Sequence, residues 1–297
     1  MKLTPLPEVE RAEGRSVAVG TFDGVHLGHR AVISGSDSVL TFAPHPVSVV
    51  APQHTPRLLT TPARKAQLIA ALCVREMIVI PFDAAFAART AAEFIEEVLL
   101  GALGAAVVSV GENFRFGSRA QGDADMLRAD GRFRTVVHPL LEIDGEIVSS
   151  SHIRGLLLAG ELEQANRLLG ERFQLRGEVL AGDARGRELG FPTANLLPDE
   201  ELVCPGHGVY ACLASAEDLP PRPAAVSIGV RPTFGSGRHE LIEAHLLDFE
   251  GDLYGSELTL DFLARLRGER RFDDAGSLVE QMGRDVERTR AVLDASG

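Results

Sequence analysis

The chain has 297 residues, 45% apolar and 24% charged, the make-up of a globular protein long enough for two domains. The N-terminus "MKLTPLPEVERAEG" has no apolar signal core and no apolar run approaches bilayer length, which sets a cytoplasmic expectation. The net charge of −12 divides as 16 Lys+Arg against 19 Asp+Glu in residues 1–170, and 14 against 23 in residues 171–297; with no basic stretch, neither nucleic acid nor an anionic membrane is expected as a partner.

In chain order, "SVAVG" (16–20), "SVLTF" (38–42), "EMIVIPF" (76–82) and "AAVVSVG" (105–111) read as buried parallel strands. Helix starts stand between them. Pro62 follows a threonine pair at a first-turn position, and Thr90 with Glu93 has capping-box spacing. Alternating strands and helices predict a doubly wound α/β domain, whose ligands bind beyond the carboxyl ends of the strands. Only 12 residues, His26 to Asp37, stand before the next strand, so the first helix is expected to be a stub of about two turns. "SSSHIRGLLLAGELEQANRLLG" (149–170) fits two short helices broken at Gly160 and ended at Gly170. From Phe173, "FQLRGEVLAG", "GVYACLAS", "AAVSIG", "LIEAHLLDF" and "ELTLDFL" read as strands of an antiparallel barrel or sandwich. An amphipathic helix with Ser277 and Glu280 as a candidate capping box closes the chain. The domain boundary is expected near 170–173, giving domains 1–170 and 171–297. No signal fixes an oligomeric state.

Cys73, Cys204 and Cys212 lack paired spacing and read as small apolar fillers. Lys2 and Lys65 are the only lysines, which directs any phosphate binding towards arginine, histidine or hydroxyl groups. The densest polar motif is "VAVGTFDGVHLGHR" (17–30). His26 and His29 lie three apart where a helix should begin, so they share a face. Gly20, Gly24 and Gly28 permit close approach, and the helix start offers N–H donors to a polyphosphate. A metal held with Asp23 is a weaker reading, and histidines merely satisfied in a turn a third. "GENFRFGSRAQGD" follows the strand at 105–111. "SSSHIR" (149–154) adds hydroxyls and Arg154, a pattern that alone reads as an N-cap.

In the second half, "GFPTAN" (190–195) delivers Thr193 and Asn195 on one side of an extended segment. Such hard oxygen donors suit Mg²⁺ shared with substrate phosphates. The preceding Gly-rich loop does not match a P-loop. Glu243 lies in an apolar strand, either as a buried acceptor or as a general base. His245, on the same strand face, reads as structural.

"GTFDGVHLGHR", "TFAPHP", "GENFRFG" and "SSSHIR" occur in the order found in the bifunctional riboflavin kinase/FAD synthetase family. "GFPTAN", "GVYA", "SIGVRPTFG" and "DLYG" resemble its kinase half. The resemblance implies a nucleotidyltransferase-type Rossmann-like domain followed by an antiparallel β-barrel kinase domain with a C-terminal helix. It implies phosphorylation of riboflavin to FMN by the second domain and adenylylation of FMN to FAD, with release of pyrophosphate, by the first. ATP is the co-substrate and Mg²⁺ the cofactor. By resemblance, His26 and His29 contact ATP phosphates, while Gly20, Phe22, Asp23, Gly24 and Gly28 shape the turn beneath the nucleotide. Ser149, Ser150, Ser151 and Arg154 hold phosphates and Asn113 meets the flavin phosphate. In the kinase half Glu243 is the base, Thr193 and Asn195 hold Mg²⁺, and Arg267 contacts the flavin. Gly182, Arg187, Gly190 and Pro192 belong to the loop that closes over ATP. Position 43 departs from the family's acidic residue with Ala43, which leaves a kinase-only chain, or a flavin-binding module without turnover, as alternatives.

Overall fold

The structure, a computed structural model, describes residues 1–180, 191–231 and 239–295. It divides into two compact units, Met1–Ser150 and Ser151–Gly297. In the first unit the strands are β1 (Lys2–Pro5), β2 (Arg15–Val19), β3 (Ser38–Ala43), β4 (Glu76–Pro81), β5 (Ala105–Gly111) and β8 (Arg134–His138). Two small ladders join β6 (Arg115–Phe116) to β7 (Gly122–Asp123), and β9 (Glu142–Ile143) to β10 (Glu146–Ile147). The helices are α1 (Leu27–Ile33), α2 (Pro46–Val50), α3 (Pro62–Ala70), α4 (Ala84–Ala87), α5 (Ala91–Glu93, continuing as a wider π-type helix over Phe94–Ala102) and α6 (Ala124–Asp130).

The main sheet has the order β1-β4-β3-β2-β5-β8, all parallel. The four strands expected from apolar runs form its centre, where Val17, Val39, Leu40, Ile78 and Val108 are fully buried. The two edges, β1 and β8, have no such run. β1 buries one residue of "KLTP" and β8 none of "RTVVH", because an edge strand pairs on one side only. Winding reverses between β2 and β5, so the loops leaving their carboxyl ends flank the crevice where such sheets take ligands. The first helix is the expected stub, and the Thr90–Glu93 capping box is formed from both sides.

The second unit holds α7 (Ser150–Ala159, starting on the last residue of the first unit), α8 (Leu162–Leu169), a barrel and α9 (Ala275–Asp294). Gly160 (φ +77°) and Gly170 (φ +73°) end the two short helices, as the sequence indicated. β11 (Phe173–Leu180), β12 (Ala194–Pro198), β13 (Gly208–Ala216), β14 (Leu219–Arg231), β15 (His239–Leu246) and β16 (Glu257–Arg267) close in the order β11-β12-β15-β14-β13-β16, antiparallel throughout. Alternate residues such as Val226, Ile228, Ile242, Ala244 and Leu260 fill the interior.

By contacts the helix pair groups with the barrel, to which it is bonded. Asn166 Nδ2 donates to Phe262 O at 2.9 Å, and Arg265 Nη1 to Ala159 O at 3.3 Å. The last helix starts earlier than expected. Its cap is Asp274, which accepts the Ser277 N–H at 2.8 Å, so Ser277 is an interior residue of the first turn. The nearer carboxylate outcompetes the serine for the orphan N–H groups.

Candidate active sites

The chain leaving β2 folds back on itself before entering α1. Gly20 leaves room for the returning Phe22 ring: a Cβ there would stand 2.9 Å from the ring's Cζ. The absence of a Cβ at Gly20 thus makes room for Phe22. Phe22 is a buried wedge in the core cluster with Val25, Val32 and Ile69, and Gly24 turns the chain at φ +84°. Asp23 is 1% exposed. Its carboxylate accepts the N–H of Leu59 at 2.9 and 3.1 Å and that of Thr60 at 3.3 Å. That use as a turn acceptor counts against the metal reading, which needed Asp23 as third ligand. Among the described residues no cluster of three His, Cys, Asp or Glu side chains could hold a metal ion.

His26 caps α1. Its Nδ1 accepts the His29 N–H at 3.2 Å, so the neutral ring carries its proton on Nε2. The His26 and His29 rings stack at a centroid distance of 3.5 Å, and Phe22 meets His29 edge-on at 5.4 Å. Burial is the main cause that pushes His26 down to about 4; the Arg30 charge adds to it. His29 is held well below its ordinary value by burial, then by the charges of His26 and Lys65. Both rings are thus neutral N–H donors at pH 7.

This neutrality has a measurable consequence for stability. Unfolded histidines take up protons near pH 6.5 and the folded pair does not, so the contribution is complete above that pH. It falls as the pH drops from 6.5 towards 4, by about 1.4 kcal/mol per pH unit for each histidine. The melting temperature of the first unit should decline over this window and flatten in a His29→Ala variant. An identical profile in the two proteins would contradict the assignment.

The expected serines are divided by position. Ser150 Oγ donates to Asp23 O at 2.9 Å, which ties the end of the first unit to the histidine turn. Ser149 is half-buried beside it. Ser151 and Arg154 fall in the second unit, where Arg154 Nη1 donates to Ser151 Oγ at 3.3 Å. Asn113 is exposed in the turn after β5, at the other flank of the switch point. Sequence patterning missed two features here. Lys65 Nζ reaches Thr21 O at 2.8 Å, although the scarcity of lysine had directed attention to other groups. A row of rings also runs Phe42–Phe82–Phe86–Phe94–Phe116–Phe114, with centroids 5.3–6.4 Å apart. Phe42, Phe82, Phe86 and Phe114 remain partly exposed, and their scattered spacing gave no motif. The buried Ser109–His138 contact (3.0 Å) is not a nucleophile pair. The Ser109 proton is spent on Val32 O at 2.6 Å, so His138 Nε2–H must be the donor.

In the barrel, the register sets Asn195 of β12 directly opposite Glu243 of β15, and Ser227 of β14 on Glu243's other side. All three face outward between buried neighbours Leu196, Ile242 and Ile228, and each is half-buried. Thr193 stands two residues before Asn195, which in extended chain puts it on the same side. His245 Nδ1 lies 2.8 Å from Pro192 O and its ring packs edge-on to Phe191 at 5.3 Å. A carbonyl only accepts, so Nδ1 carries the proton and His245 props the turn before Thr193, the structural role expected of it. Gly182, Arg187 and Gly190 lie outside the described residues.

Arg267 lines a cavity of about 380 Å³ with Gly268, Glu269, Arg270, Gln281, Arg284 and Arg288. Its guanidinium is already bonded. Nε donates to both Asp285 oxygens (3.1 and 3.0 Å), Nη2 to Oδ2 at 2.7 Å and Nη1 to Gly268 O at 3.1 Å. What it presents is a fixed cation, pinned to α9 through a buried carboxylate.

A doubly wound parallel sheet with a histidine pair at its switch point, followed by a closed barrel with an acid and an amide in register, fits a nucleotide-using transferase. Comparison with known proteins gives the particular family. Residues 8–152 match the FAD synthetase family and residues 169–293 the riboflavin kinase family. The chain is 36% identical to the bifunctional riboflavin kinase/FMN adenylyltransferase of Escherichia coli K12, over 92% of this chain and 91% of that one. It is 36% identical to that of Pseudomonas fluorescens (95% and 94%) and 35% to that of Bacillus subtilis (93% and 92%). A crystal structure from Streptococcus pneumoniae named as a macrolide-efflux protein superposes with a TM-score of 0.89 at 29% identity, covering 98% of this chain and 99% of that one. Among the described residues no helix is long and apolar enough to cross a membrane. The chain belongs to the bifunctional riboflavin kinase/FMN adenylyltransferase family. It phosphorylates riboflavin to FMN and adenylylates FMN to FAD, with ATP as co-substrate.

Proposed function

We propose that residues 1–170 carry the adenylyl transfer and residues 171–297 the kinase reaction, each with its own ATP, in the cytoplasm. The observation that carries the kinase assignment is the register of Asn195 against Glu243. Glu243 accepts the proton of the terminal ribityl hydroxyl as its oxygen bonds to the γ-phosphorus of ATP, the bond to the β–γ bridging oxygen breaks and ADP leaves. The side-chain oxygens of Thr193 and Asn195 fit a hard cation, and they would hold Mg²⁺, which when bound offsets the charge of the ATP phosphates. Arg267 is assigned to the flavin by resemblance, and Asp285 fixes its orientation. Gly182, Arg187, Gly190 and Pro192 keep their place in the nucleotide loop on the resemblance alone.

In the first domain, FMN phosphate oxygen attacks the α-phosphorus of ATP and pyrophosphate leaves. The neutral His26 and His29 donate N–H bonds to phosphate oxygens as charge grows there. The turn built by Gly20, Phe22, Asp23, Gly24 and Gly28 holds the two rings in their stack. Ser149 and Ser150 add hydroxyls, and Ser151 and Arg154 are assigned to phosphate by resemblance. Asn113 meets the FMN phosphate, and the half-exposed phenylalanine row supports its ring system.

The cation assignment is tested by titrating Mg²⁺ into riboflavin phosphorylation. Asn195→Ala should raise the Mg²⁺ needed for half-maximal rate about tenfold or more, with FAD formation from FMN keeping its wild-type Mg²⁺ profile. An unchanged requirement in the kinase reaction would refute it.

A further inference from the structure

Lys65 comes to the histidine turn by a chain of specific bonds. Asp23 accepts the N–H groups of Leu59 and Thr60, and the Gly24 N–H donates to Thr60 Oγ1 at 3.2 Å. These clasp the segment before α3 to the turn after β2. Thr61 then caps α3, its Oγ1 accepting the Arg64 N–H at 3.1 Å. One residue on, Lys65 reaches back and donates to Thr21 O at 2.8 Å, while buried Thr41 gives its hydroxyl to the same carbonyl at 3.1 Å. One such bond leaves an ammonium with donors to spare. His29 Nδ1 is buried without a hydrogen-bond partner. Ring and ammonium therefore both keep polar capacity that the folded chain does not use.

From this geometry we propose that Lys65 is a further phosphate-binding residue of the adenylyltransferase site, taking the β- and γ-phosphate oxygens of ATP and the departing pyrophosphate. The proposal rests on the adenylyltransferase reading of His26 and His29. When the FMN phosphate oxygen bonds to the α-phosphorus, the α–β P–O bond breaks and its electron pair leaves on pyrophosphate. Two neutral imidazoles supply donors but no net charge against that anion. Lys65 supplies the charge, and a lysine serves as a compact point charge for phosphate. Its environment agrees: burial lowers the Lys65 pKa while Asp23 opposes that, and its charge reaches the ring of His29. A partly desolvated ammonium favours an incoming anion.

The test compares Lys65→Met, Lys65→Gln and Lys65→Arg with wild type in FAD formation from FMN and ATP, with and without added pyrophosphate. Lys65→Met should lower kcat/KM for ATP about 100-fold and raise the pyrophosphate needed for half-inhibition about tenfold or more. KM for FMN and the rate of riboflavin phosphorylation should not change. Lys65→Arg should retain most of both phosphate responses. Lys65→Gln keeps an N–H for Thr21 O without the charge, and it takes the place of Lys65→Met if that variant does not fold. Unchanged pyrophosphate inhibition in a folded, neutral variant overturns the proposal even if its rate falls, since a merely loosened turn does that. Wild type making no FAD from supplied FMN would instead overturn the underlying reading of the histidines.

Discussion

Glu243→Gln should lower the rate of FMN formation from riboflavin about 10²–10⁴-fold, the usual contribution of a positioned general base. The substitution keeps side-chain size and a donor–acceptor group opposite Asn195, so the β12–β15 ladder that carries both residues should persist. What disappears is the ability to take a proton. Stability should therefore change little, and KM for riboflavin should move less than kcat. FAD formation from supplied FMN should stay within about twofold of wild type, since Glu243 takes no part in the proposed adenylyl transfer. Chromatographic separation of the products at fixed times reads both reactions in one sample. Equal loss of FMN and FAD formation would contradict the assignment.

His29→Ala should have the opposite selectivity, lowering FAD formation from FMN about 10²–10³-fold and sparing riboflavin phosphorylation. His29 separates the two roles of the pair better than His26 does. His26 Nδ1 is the N-cap acceptor of α1, so its removal also costs about 1 kcal/mol of local stability. His29 Nδ1 has no partner to lose. The losses in His29→Ala are the ring stack on His26 and the edge contact with Phe22. A matching loss of kinase activity would show that the substitution acts through general unfolding.

The architecture was legible wherever a strand is buried on both faces or a turn residue is compulsory. The central strands, the short first helix, the Thr90–Glu93 box and the breaks at Gly160 and Gly170 all have such signatures. β1 and β8 did not, because edge strands need no continuous apolar run. Contact packing groups the helix pair with the barrel, which texture cannot show, because packing depends on partners far away in sequence, such as Asn166 with Phe262. The candidate sites follow the same rule. His26, His29, Thr193, Asn195 and Glu243 sit in short local motifs, and the barrel register then brings two of them face to face. Lys65 lies 44 positions from the Thr21 carbonyl it bonds, and the phenylalanine row is assembled from four separate segments. Neither has a local pattern. Asp23 and Gly20 stand in the visible motif, whereas their internal contacts needed the fold: one holds residues 59–60 and the other makes room for Phe22.

The central claim is that one chain holds two chemically independent sites, one served by Glu243 and the other by His29. Mixing purified Glu243→Gln and His29→Ala proteins with riboflavin, ATP and Mg²⁺ tests it most directly. FMN made by His29→Ala should be released and converted by Glu243→Gln, so the mixture should accumulate FAD although neither protein alone does. A mixture that accumulates no FAD, under conditions where wild type does, would contradict the independence of the two sites.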